Sequence, residues 1–431
     1  MPGINRNVYF VLGAIIILAI LYSPSSLPST SSFTGDVPAF WRGTEKPGKQ
    51  FDPNAPPPPP PPAADPPAAA PVVNPLPDAG AHKDVEPVKP VEAAPAPPTE
   101  TPTAKEEEDQ HLREWFFQLD LKFNNPQFDI HKLKQYRPHN YKGPGQDVFA
   151  TYLSTRNCTL HDPYFQAAQQ LAYRVLWDPR SKTKKHPLVV FVAPFIPDEN
   201  RDLLTAAGAL VRELDLVEGH PTPAGFNRWK DLFSKLNMWA QTDFKRIAFL
   251  DLDAFPFHNI DGLFDTSKEQ RCKKELLPAE DKKHEQEICD YQFSGTSVGP
   301  VPEINVGVVV FNPNKAMHKY LMRESMDLSK FDNSMAEQAF LNYAYRPDGP
   351  FPLSFVDREW NGFFPGQADF PDGLPGNLKI VHEKLWAISD DPKDPLYFAK
   401  KFFPDTWADM LKLYESREFE ELRALDGSRL I

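Results

Sequence analysis

Apolar and polar positions alternate with two different periods along the carboxyl-terminal three quarters of the chain. From residue 106 onward, short apolar and β-branched runs are separated by segments in which apolar residues recur at helical spacing. Strands are predicted at "DVFATYLST" (147–155) and "HPLVVFVAPF" (186–195), with the helical segment "PYFQAAQQLAYRVLW" between them. A strand, a helix and a second strand in this order predict a β-α-β unit.

The same alternation continues toward the carboxyl terminus. The run "RIAFL" (246–250) is uniformly apolar, which indicates burial on both faces as in a parallel sheet, and "INVGVVVFNP" (304–313) is another buried strand. Helices are predicted at "ENRDLLTAAGALVREL" (199–214), "WKDLFSKLNMWAQT" (229–242), "NKAMHKYLMRESM" (314–326) and "MAEQAFLNYAY" (335–345). Together these elements predict one doubly wound α/β domain of about 300 residues.

The amino-terminal pattern differs, because an uncharged apolar run spans residues 8–22 directly after Arg6. Its length lies between those of a signal-peptide core and a membrane-spanning helix, and no small-residue cleavage site is clear after Tyr22. We therefore favour an uncleaved anchor, with Arg6 keeping the amino terminus cytosolic and the rest translocated into a secretory compartment. The alternative is a cleaved signal and a soluble secreted protein.

Proline dominates the next segment. The chain contains 48 prolines, most of their excess before residue 105, including seven in succession from Pro56 to Pro62. Such sequence lacks the aromatic and branched apolar residues that offset ordering entropy, and polyproline II keeps it extended. We predict an anchor segment at 1–30, a disordered stem at 31–105 and a folded domain at 106–431.

Cysteine content and charge exclude several classes of protein. Three cysteines are too few for a disulfide scaffold or a cysteine-rich zinc module. Cys272 and Cys289 flank a charged loop, and a bridge between them in an oxidising lumen is an open alternative. Asn157 begins an Asn-x-Thr glycosylation motif, which fits a luminal domain. The net charge of −12 argues against nucleic acid as a partner.

Two aspartates stand where the buried run "RIAFL" ends. Asp251 and Asp253 are one residue apart, so an extended backbone places both side chains on one side. Ligands of open parallel sheets bind beyond the carboxyl ends of the strands. Two adjacent carboxylates repel unless one is protonated or a cation lies between them, and hard oxygen ligands suit magnesium or manganese. The sequence thus predicts a divalent metal site, although the pair also fits a simple turn cap.

The residues around these aspartates resemble a known family. The segment "FLDLDAFPFHNIDGLF" resembles the metal-binding segment of glycosyltransferase family 8, the glycogenin-like retaining enzymes. Three further segments follow the order of that family, namely "SKLNMW", "INVGVVVFNP" and "KIVHEKLW". The resemblance covers about residues 149–386 and implies a GT-A (Rossmann-like) nucleotide-diphospho-sugar transferase domain.

The resemblance also implies roles for individual residues. Asp251, Asp253 and His382 would hold manganese or magnesium. The UDP-sugar donor would contact six residues: Thr151, Tyr152, Lys235, Asn305, Gly307 and Lys384. Glu337 and Gln338 resemble the family's Asp-Gln pair beside the transferred sugar. Leu385 replaces the usual proline, the spacing from His382 to Lys384 is contracted, and Glu337 replaces aspartate, so Lys384 and Glu337 depart most from the pattern.

The implied activity is transfer of a glycosyl group from a UDP-sugar, with retention, to a glycan or glycoprotein acceptor. The donor sugar remains open among GlcNAc, glucose and galactose. The anchor, stem and domain together predict a single-pass type II Golgi membrane protein similar to fungal N-acetylglucosaminyltransferases. One alternative is a non-catalytic luminal glycoprotein of the same fold. A phosphatase of the haloacid dehalogenase type is disfavoured, because "AFPF" follows Asp253 where that signature has a small turn.

Overall fold

The computed structural model describes residues 125–130, 136–156, 158–220, 231–268, 270–332, 335–387, 394 and 396–428. The predicted membrane anchor, the proline-rich stem and Asn157 lie outside these residues. All described residues belong to the unit Ala96–Ile431. None of the helices in the described ranges is both long enough and apolar enough to cross a membrane.

Strands form two sheets. They are β1 (Asp147–Leu153), β2 (Leu188–Val192), β3 (Leu210–Glu213), β4 (Arg246–Leu250), β5 (Ala254–Pro256), β6 (Phe293–Ser297), β7 (Ile304–Phe311), β8 (Ser354–Val356), β9 (Gly362–Phe363) and β10 (Ile380–His382). The main sheet has seven strands in the order β3-β2-β1-β4-β7-β6-β8. The small sheet has the order β5-β10-β9.

The described residues also form α-helices and 3-10 helices. The α-helices are α1 (Pro163–Leu176), α2 (Asp198–Ala206), α3 (Leu263–Thr266), α4 (Glu285–Ile288), α5 (Lys315–Ser325), α6 (Ala336–Ala344), α7 (Tyr397–Tyr414) and α8 (Arg417–Ala424). The 3-10 helices span Leu232–Ala240, Lys274–Leu276, Lys282–His284, Arg358–Trp360, Gln367–Asp369 and Pro371–Gly373.

The predicted α/β class is confirmed, but the main sheet is mixed and not wholly parallel. Strand β1 pairs in parallel with β2 and with β4, which confirms the β-α-β unit around α1. Strand β7 runs antiparallel to both β4 and β6. Uniform apolar character indicated correctly that β4 and β7 are buried, but burial on both faces does not determine strand direction.

One predicted helix is wrong in its second half. Helix α2 ends at Ala206, and the chain then forms β3, which pairs in parallel with β2. Gly208 separates the two elements with a φ of +105°, a conformation that side chains other than glycine rarely adopt. A Cβ at this position would also approach the Trp177 ring to 3.1 Å. The segment predicted as a helix at 229–242 contains the 3-10 helix Leu232–Ala240.

The parallel strands begin along one margin of the main sheet and end along the opposite margin. These two margins, called edges below, are contacted by different segments. At the edge where the parallel strands begin, His139 N donates to Gly208 O at 2.8 Å and Arg137 N donates to Gly427 O at 3.0 Å. Arg423 of α8 is buried and donates to Arg137 O at 3.0 Å. The carboxyl-terminal helix therefore closes the edge opposite to the one where β4 ends at Leu250.

Register in the small sheet places distant residues side by side. Strand β10 pairs antiparallel with β5, so that His382 lies opposite Ala254. It also pairs in parallel with β9, where His382 lies opposite Phe363. The small sheet thus continues from the end of β4 and carries residues from three separate segments to that end.

Candidate active site

Asp251 and Asp253 occupy the turn that joins β4 to β5. Asp251 N donates to Gly307 O of β7 at 2.7 Å, and Ala254 N donates back to Asp251 O at 2.9 Å. Glu383 N, next to His382, donates to Asp253 O at 2.9 Å. Backbone hydrogen bonds from two neighbouring segments therefore fix both aspartates at the carboxyl end of β4.

His382 completes a group of three possible metal ligands. The register of β10 against β5 brings its ring to the two aspartates, and one ligand atom each from Asp251, Asp253 and His382 lie within 4.8 Å of one another. His382 Nε2 lies 3.2 Å from Asp253 Oδ1. The structure thus brings together the three residues predicted as metal ligands, at a separation that one cation can bridge.

A hydrogen-bond network indicates which nitrogen of His382 faces the aspartates as an acceptor. Asn305 Oδ1 accepts from Gly307 N at 2.9 Å and from Asn361 Nδ2 at 3.0 Å. Asn361 Oδ1 then lies 2.9 Å from His382 Nδ1, so Nδ1 is the ring nitrogen that donates a proton. The Nε2 lone pair consequently points toward the Asp253 carboxylate, a contact that is favourable only with a proton or a metal ion between the two atoms.

Two lysines neutralise the aspartates. Lys235 Nζ donates to Asp251 Oδ1 and to Glu337 Oε1, both at 2.8 Å. Lys384 Nζ donates to Asp253 Oδ2 at 2.9 Å. The cluster therefore holds charges of both signs in a mostly buried place, where they interact more strongly than in water.

These charges shift pKa values in opposite directions. Burial alone would raise the pKa of Asp253, but the Lys384 ammonium and the His382 ring hold it well below its usual range. Burial alone would lower the pKa of His382, but the carboxylates of Asp253 and Asp251 raise it. The pKa of Lys235 rises against its burial because of Asp251 and Glu337. The carboxylate of Asp253 thus stays ionised and available as a ligand.

Gly307 lets the His382 ring approach β7. A Cβ at Gly307 would lie 2.0 Å from His382 Cε1 and 2.9 Å from Asn305 Oδ1. Either overlap would force the ring or the amide away from its place. The family resemblance implies that Gly307 lets a sugar approach the backbone, whereas in this structure the group in direct contact with its Cα is the His382 ring.

Glu337 and Gln338 lie in the first turn of helix α6, beside the cluster. Glu337 is only 4% exposed, and its carboxylate is paired with Lys235. Gln338 Oε1 accepts from Val306 N at 3.3 Å, which ties the side chain to β7. Ala336, directly before them, has a φ of +50°, a strained value for a residue with a Cβ. The resemblance placed both residues beside the transferred sugar; in the structure Glu337 faces Lys235, a pairing that the sequence did not predict.

Thr151 and Tyr152 lie in β1, next to β4, and neither belongs to the cluster. The Thr151 side chain is fully buried within the sheet. Burial raises the pKa of the Tyr152 hydroxyl to about 12, with Asp231 adding to the rise and Ser234 and Lys235 opposing it. Tyr152 therefore faces the 3-10 helix that carries Lys235.

The sequence analysis missed Asn361, which joins His382 to Asn305. Asn361 is fully buried between the 3-10 helix Arg358–Trp360 and the two-residue strand β9. Elements this short have no hydrophobic period, and an asparagine in such a segment is ordinarily a turn residue. No signal in the sequence distinguishes it.

The donor set fits a divalent cation such as manganese or magnesium. The three possible ligands are two carboxylates and the Nε2 atom of the His382 imidazole. The Nδ1 atom of the same ring is hydrogen-bonded to Asn361 Oδ1, which fixes the orientation of the ring. Imidazole with carboxylate oxygens is compatible with manganese, while a purely oxygen set would favour magnesium or calcium. Asp251, Asp253 and His382 would hold the ion.

The amino-acid sequence is similar to those of several curated proteins. It is 27% identical over 304 residues to an uncharacterised protein of Schizosaccharomyces pombe, covering 61% of this chain and 78% of that protein. It is also 27% identical over 259 residues to galactinol synthase 7 of Arabidopsis thaliana, covering 56% of this chain and 73% of that protein. No family model matches the chain.

Solved structures provide weaker likenesses. The glycosyltransferase GlyE of Streptococcus pneumoniae has 13% identity and a TM-score of 0.39, covering 65% of this chain and 64% of that one. Mouse xyloside xylosyltransferase 1 has 15% identity and a TM-score of 0.35, covering 55% of this chain and 97% of that one. Scores this low support no inference about function. The sequence similarity to galactinol synthases supports a glycosyltransferase.

Proposed function

We propose that this protein is a metal-dependent, retaining glycosyltransferase that moves a sugar from a UDP-sugar to a glycan or glycoprotein acceptor. The observation that carries the proposal is the group formed by Asp251, Asp253 and His382 at the carboxyl end of β4, flanked by Lys235 and Lys384. Ligands of open α/β sheets bind at this end of the strands. Two lysines beside two acidic ligands suit a substrate that brings its own negative charge, as a nucleoside diphosphate does.

Negative charge builds up on the diphosphate as it leaves the sugar, and the residues of the site would stabilise this charge. A bound divalent ion would act as a Lewis acid that offsets this charge. Lys384, which donates to Asp253 at 2.9 Å, stands at the edge of the group where a phosphate oxygen can replace the carboxylate as its partner. Asn361 keeps the His382 ring in place through Nδ1, so the Nε2 lone pair keeps its direction during the reaction.

Retention without a covalent intermediate is part of the proposal. Glu337, the candidate for a covalent nucleophile, is buried and paired with Lys235 at 2.8 Å. A carboxylate in this state is a weak nucleophile, because its charge is already offset by a hydrogen-bonded ammonium. In this proposal the acceptor hydroxyl attacks from the face that the diphosphate leaves and gives its proton to the departing diphosphate oxygen as the bond from that oxygen to the anomeric carbon breaks, with Gln338 near this carbon. Trapping a glycosyl group on Glu337 would contradict this mechanism.

The proposed location is the Golgi lumen, with residues 8–22 as the membrane anchor. The disulfide between Cys272 and Cys289 in the structure supports an oxidising compartment. The proline-rich segment would then hold the domain away from the membrane. Expression of the full chain and protease protection of the carboxyl-terminal domain in intact vesicles would test this orientation.

The decisive experiment for the activity measures UDP release from a panel of UDP-sugars with and without manganese. We expect metal-dependent release from one donor, because donor hydrolysis is the usual background reaction when the acceptor is missing. Asp253→Asn should abolish this release and the stabilisation of the fold by UDP with manganese.

The matched control for that variant is Asp265→Asn, which removes the same charge from an exposed position of α3. It should leave UDP release and UDP binding unchanged. A folded wild-type protein that neither releases UDP nor gains thermal stability from UDP with manganese would contradict the proposal. That result would favour the non-catalytic alternative.

A further inference from the structure

Two aromatic rings stand beside the candidate metal ligands in a place that no motif predicted. Phe363 ends β9 and lies opposite His382 in the register of the small sheet. Phe364 follows it and is 73% exposed, more than any other large aromatic side chain in the described residues. Single exposed apolar residues are common on protein surfaces, so exposure alone carries no inference.

Backbone geometry sets Phe364 apart from an ordinary surface residue. Its φ is +46°, in the left-handed region that costs a bulky residue about 1 to 2 kcal/mol. Residues in such conformations persist when the surrounding structure enforces them, and they concentrate at ligand sites. An exposed phenylalanine makes no compensating core contact, so the strain needs another explanation.

The left-handed conformation turns both rings to the same side. Successive residues of a strand point to opposite faces, which would hold the rings of Phe363 and Phe364 apart. Their centroids are nevertheless 5.8 Å apart in an edge-to-face arrangement. Paired residues of neighbouring strands share a face, so Phe363 lies on the face of His382, and Phe364 is brought to that face beside it.

The segment that presents the two rings is fixed at both ends. On one side, Phe363 N donates to Asn361 O at 3.0 Å, and Asn361 contacts His382. On the other side, Gly366 N donates to Asp369 Oδ2 at 2.9 Å. Arg358 Nη1 in turn donates to Asp369 Oδ1 at 2.8 Å. The aromatic pair is thus pre-organised, which reduces the entropy cost of binding a ligand.

The position of the pair relative to the strands selects the ligand. The small sheet has the order β5-β10-β9, so Phe363 lies at the end of its outer strand and Phe364 directly follows that strand. Thr151 and Tyr152, the residues predicted for the nucleotide, lie on β1 at the other side of β4. The His382 ring contacts Gly307 of β7, on the side of β4 away from β1, and Phe363 pairs with His382, so the aromatic pair lies on the side of β4 away from the predicted nucleotide contacts.

We propose that Phe363 and Phe364 form a stacking surface for a pyranose ring of the acceptor, which makes Phe364 a specificity-determining residue. The inference rests on the proposed glycosyltransferase function. A pyranose ring presents a face of C–H groups that packs on an aromatic ring, while its hydroxyl groups stay in water. Stacking there places an acceptor hydroxyl on the side of the metal ligands away from the nucleotide.

The test measures donor-side and acceptor-side binding in the same full-length protein. Thermal shift with UDP and magnesium reports the donor side. Saturation-transfer NMR with methyl α-mannoside, methyl β-galactoside and mannotriose, in the presence of UDP and magnesium, reports the acceptor side. The proteins are the wild type, Phe364→Ala, Phe364→Trp and the control Leu425→Ala, which removes an 85% exposed apolar side chain at the opposite edge of the sheet.

We expect at least one sugar to bind, with a dissociation constant about 2- to 12-fold higher for Phe364→Ala, the ratio that corresponds to one aromatic contact. Phe364→Trp and Leu425→Ala should bind the sugar as the wild type does, and UDP should stabilise all four proteins equally. Equal sugar binding by wild type and Phe364→Ala would overturn the proposal. UDP binding without binding of any sugar in the panel would also overturn it. Absence of UDP binding would instead contradict the proposed function.

Discussion

Gly307 is the residue on which the arrangement of the candidate metal ligands depends most directly. It is the point where β7 and β10 approach each other, since the His382 ring occupies the space of a Cβ at this position. The neighbouring Asn305 and Asn361 hold the ring from its other nitrogen. A change of one methyl group at residue 307 thus acts on a residue 75 positions away in the sequence because the register of two sheets brings them together.

Gly307→Ala is expected to weaken manganese binding by about 10- to 100-fold, the usual effect of disturbing the outer layer of a metal site. Isothermal titration calorimetry with manganese and UDP would measure the change. Gly295→Ala is the matched control, because a Cβ there would crowd the Ile304 side chain at 2.7 Å without approaching His382. Equal loss of manganese affinity in both variants would show that crowding of the sheet, and not displacement of His382, is responsible.

Asp162 illustrates how a helix cap can be sensitive to pH. Its carboxylate caps α1 by accepting from Phe165 N at 2.9 Å and accepts from the Thr155 hydroxyl at 3.2 Å. Burial raises the pKa of this carboxyl from 3.8 to about 6, and the hydrogen bonds from Phe165, Thr155 and Tyr164 offset only part of the rise. Between these two pH values the folded state binds more protons than the unfolded state.

Asp162 should therefore lower the free energy of unfolding by about 2 to 3 kcal/mol as the pH rises from 3.8 to about 6, whereas Asp147 and Asp253, whose pKa values are lowered, act in the opposite direction near pH 3.8. Urea unfolding of wild type and Asp162→Asn at several pH values would isolate the contribution of Asp162. Asp162→Asn keeps an oxygen for Phe165 N but does not titrate, so the wild type should lose stability relative to this variant as the pH rises, and the two slopes should differ. An unchanged slope would show that other carboxyl groups cause the pH dependence.

At the scale of elements, the segment between β8 and β10 combines strain with fixed ends. It contains three 3-10 helices, the short strand β9, and two residues with positive φ other than glycine, Phe364 and Asp372. The Arg358–Asp369 ion pair and the pairing of β9 with β10 hold it in place. The strained backbone of this segment lowers the stability of the fold, but its fixed ends give its side chains a defined position.

Phe364→Gly should raise the melting temperature of the protein, because glycine adopts a φ of +46° without strain. Differential scanning calorimetry would measure the shift. Phe364→Ala removes the same ring but keeps the strained conformation, so it should give no increase. A lower melting temperature for Phe364→Gly than for Phe364→Ala would show that the conformation is not strained in the folded protein.

Long elements with a clear period were predictable from the sequence, while elements joined by special backbone positions were not. Strands β1, β2, β4 and β7 and helix α1 follow their hydrophobic patterns, since burial of one segment is a local property of its residues. Helix α2 ends before Gly208, whose positive φ and closeness to the Trp177 ring in the folded protein could not be read from the local pattern. Strand direction likewise depends on the whole sheet.

Some residues of the candidate site could be predicted from the sequence, and others could not. The aspartates could be predicted because they follow a buried strand, and His382 and the lysines because ordered segments resemble a family. Asn361 could not, since its role depends on hydrogen bonds to Asn305 and His382, which come from other parts of the chain. The pairing of Glu337 with Lys235 was also invisible in the sequence, because no spacing rule connects residues in different elements.

At the scale of the whole molecule, the two edges of the main sheet separate stability from the candidate chemistry. The carboxyl-terminal helices close one edge through the buried Arg423, which contacts Asp426 and Arg137. The metal-ligand group lies at the other edge. Changes at one edge should therefore have little effect on the other, as is usual for distant sites with no shared contacts.

Arg423→Ala is expected to lower the free energy of unfolding by about 3 kcal/mol, because Asp426 and the Arg137 carbonyl lose a buried partner. Its affinity for manganese with UDP should equal that of the wild type. Gly307→Ala should also lower the free energy of unfolding, because its methyl group overlaps the His382 ring. In the double variant the two losses of stability should add to within about 0.5 kcal/mol. A clear departure from additivity in urea unfolding would show that the two edges are coupled.

The ion pairs of Lys235 and Lys384 link the binding of a metal ion to the binding of an anion. Lys384 pairs with Asp253, and Lys235 pairs with both Asp251 and Glu337, so a cation that binds the aspartates takes one partner from each lysine. Lys384 then needs a new anion and Lys235 keeps only Glu337, and a diphosphate can supply the missing negative charge. Metal and nucleotide should thus each strengthen the binding of the other, by the same factor in both directions. Depletion of either ligand in the cell would then lower the occupancy of the site by the other.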